Sequence, residues 1–319
     1  WQWAAVAFAA LALASKSIVM GLPLVLILLD VYPLRRLGPS PREWLTGRSW
    51  PVWREKIPFV VLAVAAAATA YYVQRFTGYL TEAQPAARAV MVAHNVWFHF
   101  WKTFVPLNLM PLYELPRQVS FAQLPYALAA AGSIVITVTV WLLRRRWPAG
   151  LAIWLFYLVM LAPVSGIVHT GNHLGADRNT YLPCAAFALL VGGLVIAIRQ
   201  ARRHAVLRPA IGGLALALVT VWIAGLGVAA RVQTGVWHDS ETLWRYAIEV
   251  DPTCAICNHN LAVILGRRGE KTESLALITR ALELRPDRSE FHGNYGLLLL
   301  QMGRRAEGLE PLRARLARD

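Results

Sequence analysis

The C-terminal stretch reads AIEVDPTCAICNHNLAVILGRRGEKTESLALITR over residues 247–280 and ALELRPDRSEFHGNYGLLLLQMGRRAEGLEPLRA over residues 281–314. Laid over one another at an offset of 34, the two lines pair Ala247 with Ala281, Pro252 with Pro286, Asn260 with Asn294 and Gly269 with Gly303. A 34-residue period belongs to helix-pair repeats, in which no single pair buries its apolar face alone and stacking creates both a core and a concave surface. Two such repeats are expected, at about 254–287 and 288–319. Ahead of them, Asp239-Ser240-Glu241-Thr242 offers an N-cap for a helix running to Val250, the second helix of a partial leading repeat.

The period is that of tetratricopeptide repeats, and what precedes it is of another kind. With 57% hydrophobic residues, 16% charged residues and a mean hydropathy of +0.45, the chain is far more apolar than a soluble protein of 319 residues. The apolar residues fall in blocks at about 1–14, 17–31, 57–73, 122–143, 149–168, 181–198 and 209–230. These lengths predict a polytopic, all-α membrane domain over residues 1–231, with about seven spans, followed by a solenoid over residues 232–319.

The net charge of +14 does not point to nucleic acid. Residues 1–231 hold 20 Lys and Arg against 6 Asp and Glu, whereas residues 232–319 hold 12 of each, so the excess lies in the loops between apolar blocks. That is the pattern of cytoplasmic loops rather than a phosphate-binding stripe. Thirteen cations gather at Arg35, Arg36, Arg42, Arg48, Arg54 and Lys56, at Arg144, Arg145 and Arg146, and at Arg199, Arg202, Arg203 and Arg208. Counting spans from these loops places 74–121, 169–180 and everything after 231 on the opposite, extracytoplasmic side. The first block ends at Ser15-Lys16, short of a full span, so the sequence is expected to begin inside a helix of a longer protein. Residues 1–30 read either as two spans with Lys16 at the outer turn or as one kinked helix with Lys16 at mid-depth; the first is preferred because a buried charge is costly. The aromatic segment 86–106 reads as an interfacial helix with Trp97, Phe98, Phe100, Trp101 and Phe104 toward lipid or protein, and His94, His99 and Lys102 toward the polar side, with an ordinary span as the alternative.

Before the repeats, the outer side carries three acids, Glu82, Glu114 and Asp177, from which a carboxylate base in these residues would have to come. Asp177 lies in the densest polar run, His169-Thr170-Gly171-Asn172-His173-Leu174-Gly175-Ala176-Asp177-Arg178-Asn179-Thr180-Tyr181. His169 and His173 have helical spacing for a metal, but Gly171 and Gly175 argue against the helix, so no metal is assigned. Two readings stay open: a polar loop in which Asp177 pairs with Arg178 or caps the next span, and a site in which Arg178 holds a phosphate and Asp177 orients it. Lys16 either snorkels to headgroups or binds an anionic ligand. Cys254 and Cys257, as C-x-x-C, leave a disulfide, a metal and packed thiols open, and Asn258 rules out the haem signature C-x-x-C-H.

Three runs together resemble a known family. Residues 15–34, SKSIVMGLPLVLILLDVYPL, are similar to an S-K-x-x-x-x-x-P…L-L-L-D-x-x-P-L signature; 176–183, ADRNTYLP, to A-D-R-Y-T-Y-L-P; and 237–244, WHDSETLW, to W-x-x-S-x-x-L-W. In this order they resemble the transmembrane and tetratricopeptide-repeat O-mannosyltransferases of the eukaryotic secretory pathway, here as a bacterial-type homologue of GT-C architecture. The resemblance implies a sugar donor on a polyprenyl phosphate, a protein or other acceptor on the extracytoplasmic face, and membrane lipid as surroundings. It implies donor-phosphate contacts from Lys16 and Arg178, support from Asp177, His169, His173, Tyr181 and Lys102, and acceptor contacts from Asn260 and Asn294. In such enzymes the catalytic acid sits in the first outer loop, which would precede Trp1, and Asp177 is the best candidate within the residues at hand. Asn179 stands where the family has Tyr. No cofactor is assigned, with a divalent cation open, and the expected location is the bacterial inner membrane with periplasmic repeats. The alternative is a non-catalytic membrane-anchored scaffold.

Overall fold

A computed structural model of the chain describes residues 1–38, 40–76, 84–167, 173–206 and 208–316. The protein is all-α, with two short extended segments, Tyr113–Glu114 and His173–Gly175, among the described residues. Its helices are α1 (Gln2–Ser15), α2 (Leu22–Val31), α3 (Pro41–Trp44), α4 (Trp50–Phe76), α5 (Pro85–Phe104), α6 (Leu124–Leu142), α7 (Pro148–Leu161), α8 (Ala185–Arg203), α9 (Pro209–Val236), α10 (Ser240–Val250), α11 (Ala255–Arg268), α12 (Lys271–Leu284), α13 (Ser289–Gln301) and α14 (Arg305–Leu316). Proline stands in the first turn of α2, α3, α5, α6 and α7, where its missing N–H would have had no intrahelical partner. Among the described residues, four helices are long and apolar enough to cross a membrane, Gly47–Phe76, Leu124–Arg145, Ala185–Arg203 and Pro209–Val236. The remaining apolar blocks form the shorter helices Gln2–Ser15, Ile18–Val31 and Pro148–Val164.

The chain forms two compact units, one of Trp1–Pro106 with Leu115–Thr220, the other of Leu107–Glu114 with Val221–Asp319. In the first unit, Lys16 leaves the helical region at φ −157° and ψ 121°, and the chain turns back through the short 3-10 helix Ser17–Gly21. Both ends of the resulting hairpin meet the start of α4. The Gln2 amide donates to the Glu55 carbonyl at 3.4 Å, and the Asp30 carboxylate lies 2.6 Å from the Lys56 ammonium. A single helix would hold residues 2 and 30 about 42 Å apart, so the reversal at Lys16 excludes it.

Helix α5 packs along α6 and is closed over by α7 and α8. Val96, Val140, Trp154, Tyr157, Leu161 and Phe187 form the core there, with Phe100 edge-on to Trp154 and Phe187 at ring separations of 5.8 and 5.6 Å. The Tyr157 hydroxyl donates to the Val96 carbonyl at 2.6 Å, so this apolar centre strands no polar group at that point. His99 does not reach a wet face as its place in the interfacial pattern suggested. It is 0% exposed, because the polar stripe of α5 is covered by the chain that follows α7.

In the second unit, α10 packs on α11, α11 on α12, α12 on α13 and α13 on α14, with α11 also touching α13, the serial stacking of a helical array. The 34-residue register is visible in the backbone: Gly269 and Gly303 both have positive φ, +92° and +81°, where α11 and α13 end. Ala247 and Ala281, also 34 apart, are both fully buried and let helices approach closely. Asp239 caps α10 as its sequence indicated, accepting from the Thr242 amide at 2.8 Å.

Candidate functional site

The polar run of the first unit is held in place by α5. Asn95, 1% exposed, donates from its side-chain nitrogen to the Ser165 carbonyl and to the Leu174 carbonyl, each at 2.8 Å. One amide thereby joins the end of α7 to the extended segment His173–Gly175. A Cβ on Gly175 would sit 3.0 Å from the Asn95 Oδ1 and 3.6 Å from the His99 Nε2, so glycine is what allows this close approach. The chain then enters the 3-10 turn Asp177–Thr180, where the Thr180 hydroxyl donates back to the Asp177 carbonyl. That turn packs on α5, and Asp177 attracts the half-buried Lys102 electrostatically. Arg178 is exposed, Asn179 is buried, and Tyr181 is 79% exposed.

Lys16 is placed through α7. The 3-10 turn that follows it packs against the turn Ala162–Val164 at the end of α7, and Gly21 lies against Val159, whose carbonyl oxygen would be 2.9 Å from an added Cβ. Ser165, anchored by Asn95, comes next. The turn after Lys16 thus meets the end of α7, whereas the Asp177–Thr180 turn lies on α5 with Asp177 attracting Lys102, and His173 is half-buried at the start of the extended segment. His169 lies outside the described residues, as does Glu82. Among the described residues, no group of three His, Cys, Asp or Glu is placed to hold a metal ion.

Glu114 is engaged elsewhere. Within the second unit its Oε2 accepts from the amides of Ala255 and Ile256 at 2.6 and 3.3 Å, and its Oε1 lies 3.2 Å from the Arg285 guanidinium. It thus serves as a carboxylate at the N-terminus of α11, backed by a cation, and its side chain is 11% exposed. Ala255 and Ile256 are bracketed by Cys254 and Cys257, which form a disulfide, both fully buried with Met110 in their cluster. Asp177, by contrast, faces the cation Lys102 of α5.

In the repeats, Asn294 and Asn260 converge on one imidazole. The Asn294 side-chain nitrogen is 2.7 Å from His259 Nε2, and Asn260 also hydrogen-bonds to His259. His259 is 3% exposed and stacks on Phe291 at 4.5 Å; burial pulls its pKa down, against the opposing influences of Glu290 and Asn260. Asn294 in addition lines a groove of about 190 Å³ between α11, α12 and α13. Sequence reading did not single out Asn95 as a clamp or Glu114 as a cap. The available signal for Asn95 was its place with Met91 and His99 on one stripe of α5, at i, i+4 and i+8.

No family model matches the chain. It is similar to the Drosophila melanogaster protein named Protein O-mannosyl-transferase Tmtc2, with 27% identity over 139 residues, 44% of this chain and 14% of that protein. The aligned region thus covers a small part of the relative's length. The long apolar helices, together with this similarity, mark the chain as an integral membrane protein akin to that relative.

Proposed function

We propose that this chain belongs to an integral-membrane glycosyltransferase that moves a sugar from a polyprenyl phosphate to a protein acceptor on the extracytoplasmic face. The observation that carries the reading is the Asp177–Arg178 turn, pinned through Asn95 and Gly175 with Asp177 attracting Lys102. A phosphate leaving group needs cations that are in place before the reaction, and a turn fixed by a buried amide supplies such preorganisation. Lys16 and Arg178 take the donor phosphate, Lys102 with Asp177 sets the local field, and His173 and Tyr181 border the turn. The name of the similar fly protein supports the reaction class. The repeats, with Asn260 and Asn294 on α11 and α13, hold the acceptor.

The test is sugar transfer from a polyprenyl-phosphate donor by the full-length protein in proteoliposomes. Replacing Arg178 or Lys16 by Ala should lower kcat/KM for the donor by roughly 10- to 100-fold, the weight of a hydrogen bond to a charged group. Unchanged turnover in both variants would remove their assigned roles. A membrane-anchored scaffold is the second reading, favoured by the separate core of the repeat unit; it requires acceptor binding with no transfer.

A further inference from the structure

The groove of the repeat unit has a composition that goes beyond general acceptor holding. Its walls come from equivalent positions one repeat apart, Val263 with Leu297 and Arg267 with Gln301, joined by Asn294. Its floor is sealed: the Ser274 hydroxyl donates to the Ala262 carbonyl at 2.6 Å, and a Cβ on Gly266 would meet that hydroxyl at 3.0 Å. At about 190 Å³ the groove is smaller than the roughly 300 Å³ at which small-molecule pockets begin, and it is open along the helices. Side chains of a peptide fit it better than a cofactor.

Its charge is one-sided. The lining contains one cation, Arg267, and no carboxylate. The neighbouring Arg268 is bound to Glu241, whereas Arg267 is exposed and enters no ion pair among the described residues. At the rim, Lys271 donates to the Gln301 carbonyl at 2.6 Å and adds a second positive charge. The amides of Asn294 and Gln301 can each donate and accept, as an extended backbone requires. Leu297 is 46% exposed and offers an apolar contact.

We propose that this groove selects extended acceptor peptides in which an Asp or Glu stands next to an apolar residue, with the carboxylate on Arg267, the apolar side chain between Val263 and Leu297, and the backbone on Asn294 and Gln301. The inference rests on the reading of the repeats as an acceptor arm and names what that arm prefers.

The experiment is fluorescence anisotropy with the full chain in nanodiscs and three labelled peptides of equal length that differ at one position, Leu-Glu, Leu-Gln and Leu-Lys. The Glu peptide should bind about three- to fivefold tighter than the Gln peptide, with the Lys peptide weakest, a margin set by an exposed ion pair. Raising the salt concentration should shrink the margin. Arg267→Gln should erase the Glu-over-Gln preference while leaving the Gln peptide's affinity intact, which also shows that the unit is folded; Arg268→Gln should keep the preference. Equal binding of the Glu and Gln peptides, a preference that survives Arg267→Gln, or no binding of any peptide overturns the proposal. Charge-selective binding without sugar transfer would leave this inference standing and remove the glycosyltransferase reading, whereas transfer without charge selection would do the reverse.

Discussion

The two units use the same charged residue types under opposite conditions. In the membrane unit, Asp30 is 1% exposed and lies between the Lys56 ammonium at 2.6 Å and the Arg36 guanidinium at 3.1 Å, with Glu55 2.7 Å from Arg36. In the repeat unit, Arg245 bridges Glu241 and Glu273 at 2.8 and 2.7 Å, but its side chain and that of Glu273 remain 41% and 44% exposed. The distances are alike and the energetic roles are not. Water screens the second network and would solvate its members if they parted, while the first strands a charge as soon as one partner is lost. A short ion pair therefore reports little about stability until its burial is known.

The largest test of this contrast is Lys56→Met. It leaves Asp30 facing one partner instead of two, and it should destabilise the membrane unit by about 3 kcal/mol, read as a lowered thermal midpoint in detergent. A loss too small to measure would show that the network is hydrated and would erase the contrast. Glu114→Gln comes next, because a mostly buried carboxylate that accepts two amide bonds stands between the extremes. It should cost about 1–2 kcal/mol in the repeat unit and speed amide exchange at Ala255 and Ile256. His259 provides a titration of the same idea. Burial holds its folded pKa below the ordinary value near 6.5, so the folded state favours the neutral ring. Its contribution is present above about pH 6.5 and is lost as the pH falls through the folded pKa, since the unfolded state takes up the proton first. The repeat unit should melt at progressively lower temperature from pH 7 to pH 5, and His259→Gln should flatten that slope. The smallest expected effect is Arg245→Ala. Although Glu273 and, after it, Glu241 raise the Arg245 pKa, solvent screening should leave the midpoint nearly unchanged. A large shift there would mean that the surface network is cooperative.

Much of the architecture was legible because it is written locally. Each apolar block became a helix, and the offset pairs Gly269/Gly303 and Ala247/Ala281 became the left-handed helix ends and close helix contacts of a repeating array. The candidate site was legible in part. Lys16, Asp177 and Arg178 stand out as rare charges beside apolar runs, and the structure packs the turn after Lys16 on the end of α7 and the Asp177–Thr180 turn on α5. Asn95 and His99 were obscured by the aromatic residues around them on α5, where periodicity marks a face without naming what covers it. Glu114 read as a free outer-side acid because nothing near it in sequence announces a partner.

Sequence alone determined the all-α membrane character, the concentration of positive charge between the apolar blocks and the 34-residue repeat. Hydropathy and helical period act over a few turns, and each stretch carries that information by itself. Tertiary structure alone decided which polar groups are already committed. Asn95 clamps a carbonyl 79 residues away, and Glu114 caps a helix 141 residues on. A hydrogen bond requires its partners within about 3 Å, and only the folded chain brings together groups so distant along the sequence.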